Sequence, residues 1–267
     1  MPKRRKYTVL KPVHPNAGLE AEYRAKLAKL VREMQGSYSY FLKAQWRETP
    51  PTMALDAVPA RELERELSML GKRWEKRINE TAPKLARWFA QATARRSQDA
   101  LKRILKDGGI SVDFTMTQAM RDVAHATVAE NVSLIKSIGS QYHTEIEGMV
   151  MRSITAGRDL ASLNKELRAR YNITERRANL IALNQNNQAT ASFVRVRQQD
   201  LGLKAKWLHS HGGKEPRPTH LANNGQVYDP AVGWFDPDPK VRKRIWPGQL
   251  INCRCVSASV VPGFSLD

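Results

Sequence analysis

Between Pro83 and Pro216 the sequence runs 132 residues without a proline. Proline breaks the interior of a helix by removing a hydrogen bond and clashing with the preceding turn, so so long a gap predicts consecutive helices. Upstream, Pro50, Pro51 and Pro59 bracket a linker near 49–59. Residues 17–47 read as a first helix, with Leu27, Leu30, Val31, Met34, Tyr38 and Phe41 at helical spacing. Leu63, Leu67, Leu70, Trp74 and Ile78 form a second stripe of the kind that packs against another helix. Thr81 and Pro83 read as the cap and first turn of a third helix ending at Gly108-Gly109. A helix over 115–138 stops at Gly139-Ser140, another runs to Gly157, Asp159 caps a short one, and Thr174 starts the last, to about Leu201. Seven helices in an elongated bundle are expected over 17–201, preceded by a basic arm at 1–16.

The texture changes at Gly202. Between 207 and 250 lie six of the 14 prolines, five of the 15 glycines and three of the six tryptophans. Short β-like runs stand at Ala205–His209, Gln226–Tyr228 and Cys255–Val261. The fold class is therefore mainly α, an elongated helical bundle followed by a small loop-rich α+β domain over 202–267. No apolar run approaches the roughly 20 residues needed to span a bilayer. With Lys11, Pro12, His14 and Pro15 where an export signal would be apolar, synthesis in the cytoplasm without membrane association is expected. Two cysteines, Cys253 and Cys255, exclude a disulfide scaffold.

The formal charge is +18, which calls for a polyanion or an acidic partner. By segment it is +6 over 1–30, 0 over 31–60, +7 over 61–106, −4 over 107–149, +6 over 150–199 and +3 over 200–267. A sequence-reading DNA module concentrates its charge on one helix or stripe. Charge spread in this way fits a protein that lies along double-stranded DNA without reading it. The candidate contacts are Lys3, Arg4, Arg5, Lys6, Lys72, Arg73, Lys76, Arg77, Arg95, Arg96, Lys102 and Arg103. The plainer alternative is that these side chains solvate long helices.

Both cysteines and three of the six histidines fall between 209 and 255. In a region short of aliphatic core, that clustering suggests a structural zinc ion held by His220, Cys253 and Cys255, with His209 or His211 as the fourth ligand. The alternative is a pair of buried free thiols near a hydrogen-bonded histidine. A second alternative is a metal-dependent nuclease or toxin-like enzyme centred on His220, with Asn223 or Asn224 nearby. The acidic pair that usually holds Mg²⁺ is lacking there. Gly-x-Ser-x-Gly, Gly-x-Gly-x-x-Gly and phosphate-loop signatures are absent, and the chain reads as a non-enzyme.

The run Trp207…Arg217-Pro218-Thr219-His220…Gly225…Phe235…Pro247-Gly248…Asn252-Cys253-Arg254-Cys255 resembles the C-terminal signature of the Mu F-like phage head morphogenesis, or minor capsid, family. Upstream, Gly157-x-Asp159-Leu160…Leu163…Leu167…Tyr171-Asn172-Ile173-Thr174…Arg177-Ala178…Ile181-Ala182 is similar to the helical segment before that signature. The family typically continues with Arg-Thr-Glu, whereas this chain has Leu183-Asn184-Gln185. The resemblance implies a structural protein of a tailed phage, built into the virion head and associated with the portal and with scaffold or major capsid protein. Under it, Trp207, Arg217, His220, Asn252, Cys253 and Cys255 hold the fold of the module, with or without zinc.

Overall fold

The computed structural model describes residues 7–48, 57–155, 160–210 and 215–262. Lys3, Arg4, Arg5, Lys6, His211, Gly157 and Asp159, and most of the linker expected at 49–59, lie outside the described residues. Four long helices carry the chain: α1 (Ala17–Glu48), α2 (Ala57–Asp107), α3 (Gln118–Thr155) and α4 (Leu160–Asp200). The expected mainly-α architecture with a small stranded C-terminal region is what forms. The helix count differs from the seven expected, because three predicted breaks lie inside helices.

Pro83 stands within α2. Its cost of about 3 kcal/mol is offset by the apolar row that continues through it, with Trp74, Ile78, Ala82, Ala86, Phe89 and Ala90 all buried. Gly139 stands within α3, where a Cβ would lie 2.1 Å from Ile78 Cδ1. It is a close-packing glycine and not a stop. Thr174 stands within α4, its hydroxyl donating back to the Arg170 carbonyl at 3.0 Å. Such a bond four residues back is the mid-helix habit of threonine, not that of a cap. The caps that do form are Asn16, whose Oδ1 accepts from Leu19 N–H at 2.8 Å, and Thr117, whose Oγ1 accepts from Met120 N–H at 3.3 Å.

The chain divides into two compact units. One comprises 21–87 and 128–182 and is helical throughout. Its core includes Leu27, Val31, Met34 and Tyr38 from α1 and the expected stripe Leu63, Leu67, Leu70, Trp74 and Ile78 from α2. Ile135, Ile138, Tyr142 and Ile146 from α3, and Leu163 and Leu167 from α4, complete it. Two of its buried tyrosines are hydrogen-bonded. Tyr23 OH donates to Asn131 Oδ1 at 2.7 Å, and Tyr38 OH lies 2.8 Å from His143 Nδ1. The His143 ring rests directly on Gly71, where a Cβ would stand 2.4–2.8 Å from three ring atoms.

The other unit comprises 1–20, 88–127 and 183–267, within which the described residues form the sheets. Here strands β1 (Tyr7–Val9), β2 (Lys204–Leu208), β3 (Val227–Tyr228) and β6 (Val256–Pro262) form an antiparallel sheet in the order β1-β6-β2-β3. Strands β4 (Trp234–Asp236) and β5 (Lys243–Ile245) form a separate hairpin. In β2 the burial alternates, so Ala205 and Trp207 face inward together. Leu10, Val13, Leu101, Leu105, Val194 and Val261 form one apolar cluster in this unit. Ala205, Trp207, Tyr228, Ile245, Cys253 and Cys255 form a second.

Gly71→Ala gains the ordinary helical preference for alanine, about 1 kcal/mol, but drives a methyl group into the His143 ring. The net expectation is a loss of about 1–2 kcal/mol in urea unfolding. In a Gly71→Ala/His143→Ala double-mutant cycle, the two changes should be less than additive in cost.

Candidate functional site

The site sits in the second apolar cluster and is assembled from four short segments. His220 comes from α5 (Pro218–Ala222), a single turn opened by Pro218 at its first position. Cys253 and Cys255 are two residues apart on the chain leading into β6, both buried while Arg254 between them is exposed. Asp236 ends β4, where alternation hides it beside the half-buried Trp234 while Phe235 faces out. Trp207 of β2 is fully buried and meets the His220 ring edge-on, centroids 5.1 Å apart. The same indole meets Trp234 at 5.5 Å and Tyr228 at 6.2 Å. Of the three tryptophans between 207 and 250, Trp207 and Trp234 thus meet directly, and Trp246 packs against the same cluster.

His220 is 2% exposed, and Asp236 is fully buried. The Nδ1 atom of His220 lies 3.5 Å from Cys253 Sγ and 3.7 Å from Cys255 Sγ. Its Nε2 faces Asp236 Oδ2 at 3.4 Å, slightly long for a hydrogen bond, and neither atom has another hydrogen-bond partner. The other carboxylate oxygen accepts from the Asp238 N–H at 3.0 Å, which fixes the side chain. Both thiols are free and buried. The Cys255 thiol donating to its sulfur, with the neighbouring imidazole, holds Cys253 well below the ordinary thiol range despite burial. Cys255, facing that sulfur and buried as well, is pushed up. Among the described residues, the donor atoms that come together within 4.8 Å are those of His220, Cys253 and Cys255. His209 is not one of them; its backbone N–H donates to Asn224 Oδ1 at 2.9 Å.

The loop that carries the cysteines is held by side-chain amides of α4. Asn252 N–H donates to Asn184 Oδ1 at 2.7 Å, and Asn187 Nδ2 donates to the Cys253 carbonyl at 3.2 Å. Gln188 Nε2 donates to the Gln249 carbonyl at 2.7 Å. From the opposite side, Arg217 donates to the Ile251 carbonyl at 3.0 Å. Asn252 has φ 62° and Gly248 φ 80°, left-handed values that asparagine tolerates and glycine adopts freely. A Cβ on Gly248 would also stand 3.0 Å from Ala191 Cβ and 3.3 Å from the Asn187 carbonyl. These contacts account for Gly248 and Asn252 as parts of one turn, tied to Arg217, that carries both sulfurs near His220.

Residues 144–258 match the family described as Phage Mu protein F like protein. This segment is similar to the Mu F-like family. Over 260 residues the chain is also 26% identical to an uncharacterized protein of Haemophilus influenzae, covering 94% of this chain and 55% of that protein. The chain therefore spans about half the length of this curated relative. No solved structure matches it significantly. The Mu F-like segment contains α4, α5 and the 247–255 turn, and so takes in both the amides and the loop they hold. At the position of the departure Leu183-Asn184-Gln185, it is Asn184 that anchors Asn252.

The sequence reading missed Asp236, Asn184, Asn187 and Gln188. Asp236 lies among prolines that read as open loop. The signal for the amides was available: the run Asn184-Gln185-Asn186-Asn187-Gln188 is costly in a helix unless its amides have partners. Of the basic candidates, Lys72, Arg73, Lys76, Arg95 and Arg103 are exposed on α2. Arg77 pairs with Glu33, Arg96 donates to Asn16 Oδ1 at 2.6 Å, and Lys102 pairs with Asp113 at 2.7 Å. No described helix is long and apolar enough to cross a membrane.

Replacing Asn187 by Ala leaves the buried Cys253 carbonyl without its donor, at an expected cost of about 1–3 kcal/mol. Native-state modification of the two thiols by an aromatic disulfide reagent should speed up in step with that loss. Unchanged thiol protection would show that the amide does not hold the turn closed.

Proposed function

We propose that this chain is a structural minor head protein of a tailed phage, acting in head morphogenesis and built into the virion. The observation that carries the reading is the similarity of residues 144–258 to the Mu F-like family, with His220, Cys253 and Cys255 of its signature gathered and buried. In this reading the chain associates with the portal and with scaffold or major capsid protein, and it contacts packaged double-stranded DNA without reading sequence. It is not an enzyme.

The burial of the site supports a structural role over a nuclease. A general base acting on a phosphodiester must reach water and substrate, whereas His220 is enclosed by Trp207, Asp236 and two sulfurs. The DNA contact is supported by the exposed cations of α2, since Lys72, Arg73 and Lys76 stand at spacings that share one helix face.

Co-expression with the portal and capsid proteins of the same phage should place the chain in sedimenting procapsids. A chain that stays soluble while procapsids form without it would overturn the assembly role. Purified protein should bind duplexes of unrelated sequence equally, with affinity falling about 0.9 log unit per log unit of salt for each phosphate neutralised. Combining Lys72→Ala, Arg73→Ala and Lys76→Ala should flatten that slope by roughly 2–3. Binding that ignores salt would remove the DNA contact. Plasmid cleavage lost on His220→Ala would replace the structural reading by the nuclease.

A further inference from the structure

We propose that His220 Nδ1, Cys253 Sγ and Cys255 Sγ bind one Zn²⁺ ion, with Asp236 as the positioning residue for the histidine. The inference is independent of the head-assembly reading. It rests on the shape of the donor cluster, on the orientation of the imidazole and on the chemistry of the three atoms.

The cluster has the dimensions of a ligand shell. With Zn–N about 2.0–2.1 Å and Zn–S about 2.3 Å, neighbouring nitrogen and sulfur ligands of a tetrahedral site stand about 3.6 Å apart. The two nitrogen–sulfur distances here are 3.5 and 3.7 Å. The thiols also hydrogen-bond with one another and with the ring, but one shared ion accounts for both nitrogen–sulfur distances at once. A neutral imidazole offers one in-plane lone pair, which one thiol can use, yet two sulfurs stand within 0.2 Å of the same distance from it. Three donors converging on one point are what a cation requires.

The orientation of the ring agrees. Asp236 sits at Nε2 with no other hydrogen-bond partner for that oxygen, and Nε2 has no other hydrogen-bond partner either. An acidic group there favours the proton on Nε2 and leaves the Nδ1 lone pair toward the sulfurs. A carboxylate behind a metal-bound histidine is the usual arrangement that fixes its tautomer and raises its basicity. Burying an aspartate fully is otherwise expensive, and a cation bound on the far side of the ring offsets that cost. Two thiolates, an imidazole and the carboxylate behind it would balance the double charge of the ion to within one unit.

The donor set also selects the metal. Sulfur and imidazole ligands suit Zn²⁺ and not Mg²⁺ or Ca²⁺, which take oxygen. The ion would join α5 to the 252–255 turn, two segments otherwise linked through Arg217 and the Trp207 ring, in a module with little aliphatic core.

The test uses the full chain, purified reduced and without added metal. Zinc should be found at one ion per chain, set free by a thiol-blocking reagent, and its removal by a strong chelator should lower Tm reversibly. Replacement by Co²⁺ should give visible bands of tetrahedral intensity and a near-ultraviolet sulfur-to-cobalt charge-transfer band. Cys253→Ser and Cys255→Ser should each weaken that band, and His209→Ala should leave it unchanged. Asp236→Asn should keep the band shape while lowering affinity about 10–100-fold, an effect that a merely structural aspartate would not produce. Folded, reduced wild-type protein that takes up neither zinc nor cobalt overturns the proposal, without recourse to any variant. So does a cobalt spectrum that lacks the charge-transfer band, which would place the metal on other residues.

Discussion

A loop packed along a helix must find partners for the peptide groups it turns toward that helix, which has none to give, because its own N–H and C=O groups are already paired. In this protein the problem is solved by side-chain amides. Asn184, Asn187 and Gln188 lie at i, i+3 and i+4 on α4, so they share one face, and each meets a different backbone group between 249 and 253. The 247–255 turn takes its path from those three bonds. Asn252 can hold its left-handed conformation because its N–H is captured, and Gly248 is required where the chain passes against Ala191. Cys253 and Cys255, which follow directly, both bring their sulfurs to His220.

The same helix anchors the sheet. Gln198 Nε2 donates to Ser259 Oγ at 3.1 Å, and Gln199 Nε2 to the Pro230 carbonyl at 2.8 Å. Arg197, almost wholly buried, donates to Gln98 at 2.8 Å and to Asp200 at 3.3 Å while lying over the Phe114 ring. Asn186 reaches the Asn16 carbonyl at 3.2 Å. The last turns of α4 therefore form a polar spine in this unit, in which most amides serve backbone or side chains of other segments. Apolar contact supplies the bulk of the burial, but contact of that kind is indifferent to register. Directional bonds of this number fix which residue lies opposite which.

The helices were legible because apolar spacing over long stretches has few alternative explanations. The stripe from Leu63 to Ile78 is buried as its period implies. Their joins were not legible. Pro83, Gly139 and Thr174 are residues that end helices in one setting and serve packing or back-bonding in another, and only the neighbour across the contact distinguishes the two. Of the strands, β2, β3 and β6 were readable from β-branched and aromatic runs. Tyr7–Val9, Trp234–Asp236 and Lys243–Ile245 are three residues each, too short to show a period. The triad of His220, Cys253 and Cys255 was visible from residue type alone. Asp236 and the α4 amides were not, since each acts through a partner far away in sequence.

The strand order carries one more consequence. Strand β6 lies between β1 and β2, with Val260 opposite both Val9 and Lys204. The sheet is thus closed by segments from near the two extremes of the described chain, and its middle strand is the one that follows all the others. During synthesis, β1, β2 and β3 have no ladder between β1 and the rest until residues 256–262 have emerged. The turn bearing both cysteines precedes that strand directly, so the pocket around His220 and the sheet are completed by the same few residues. Joining β1 to β2 and completing the cluster around His220 therefore both require the segment 253–262.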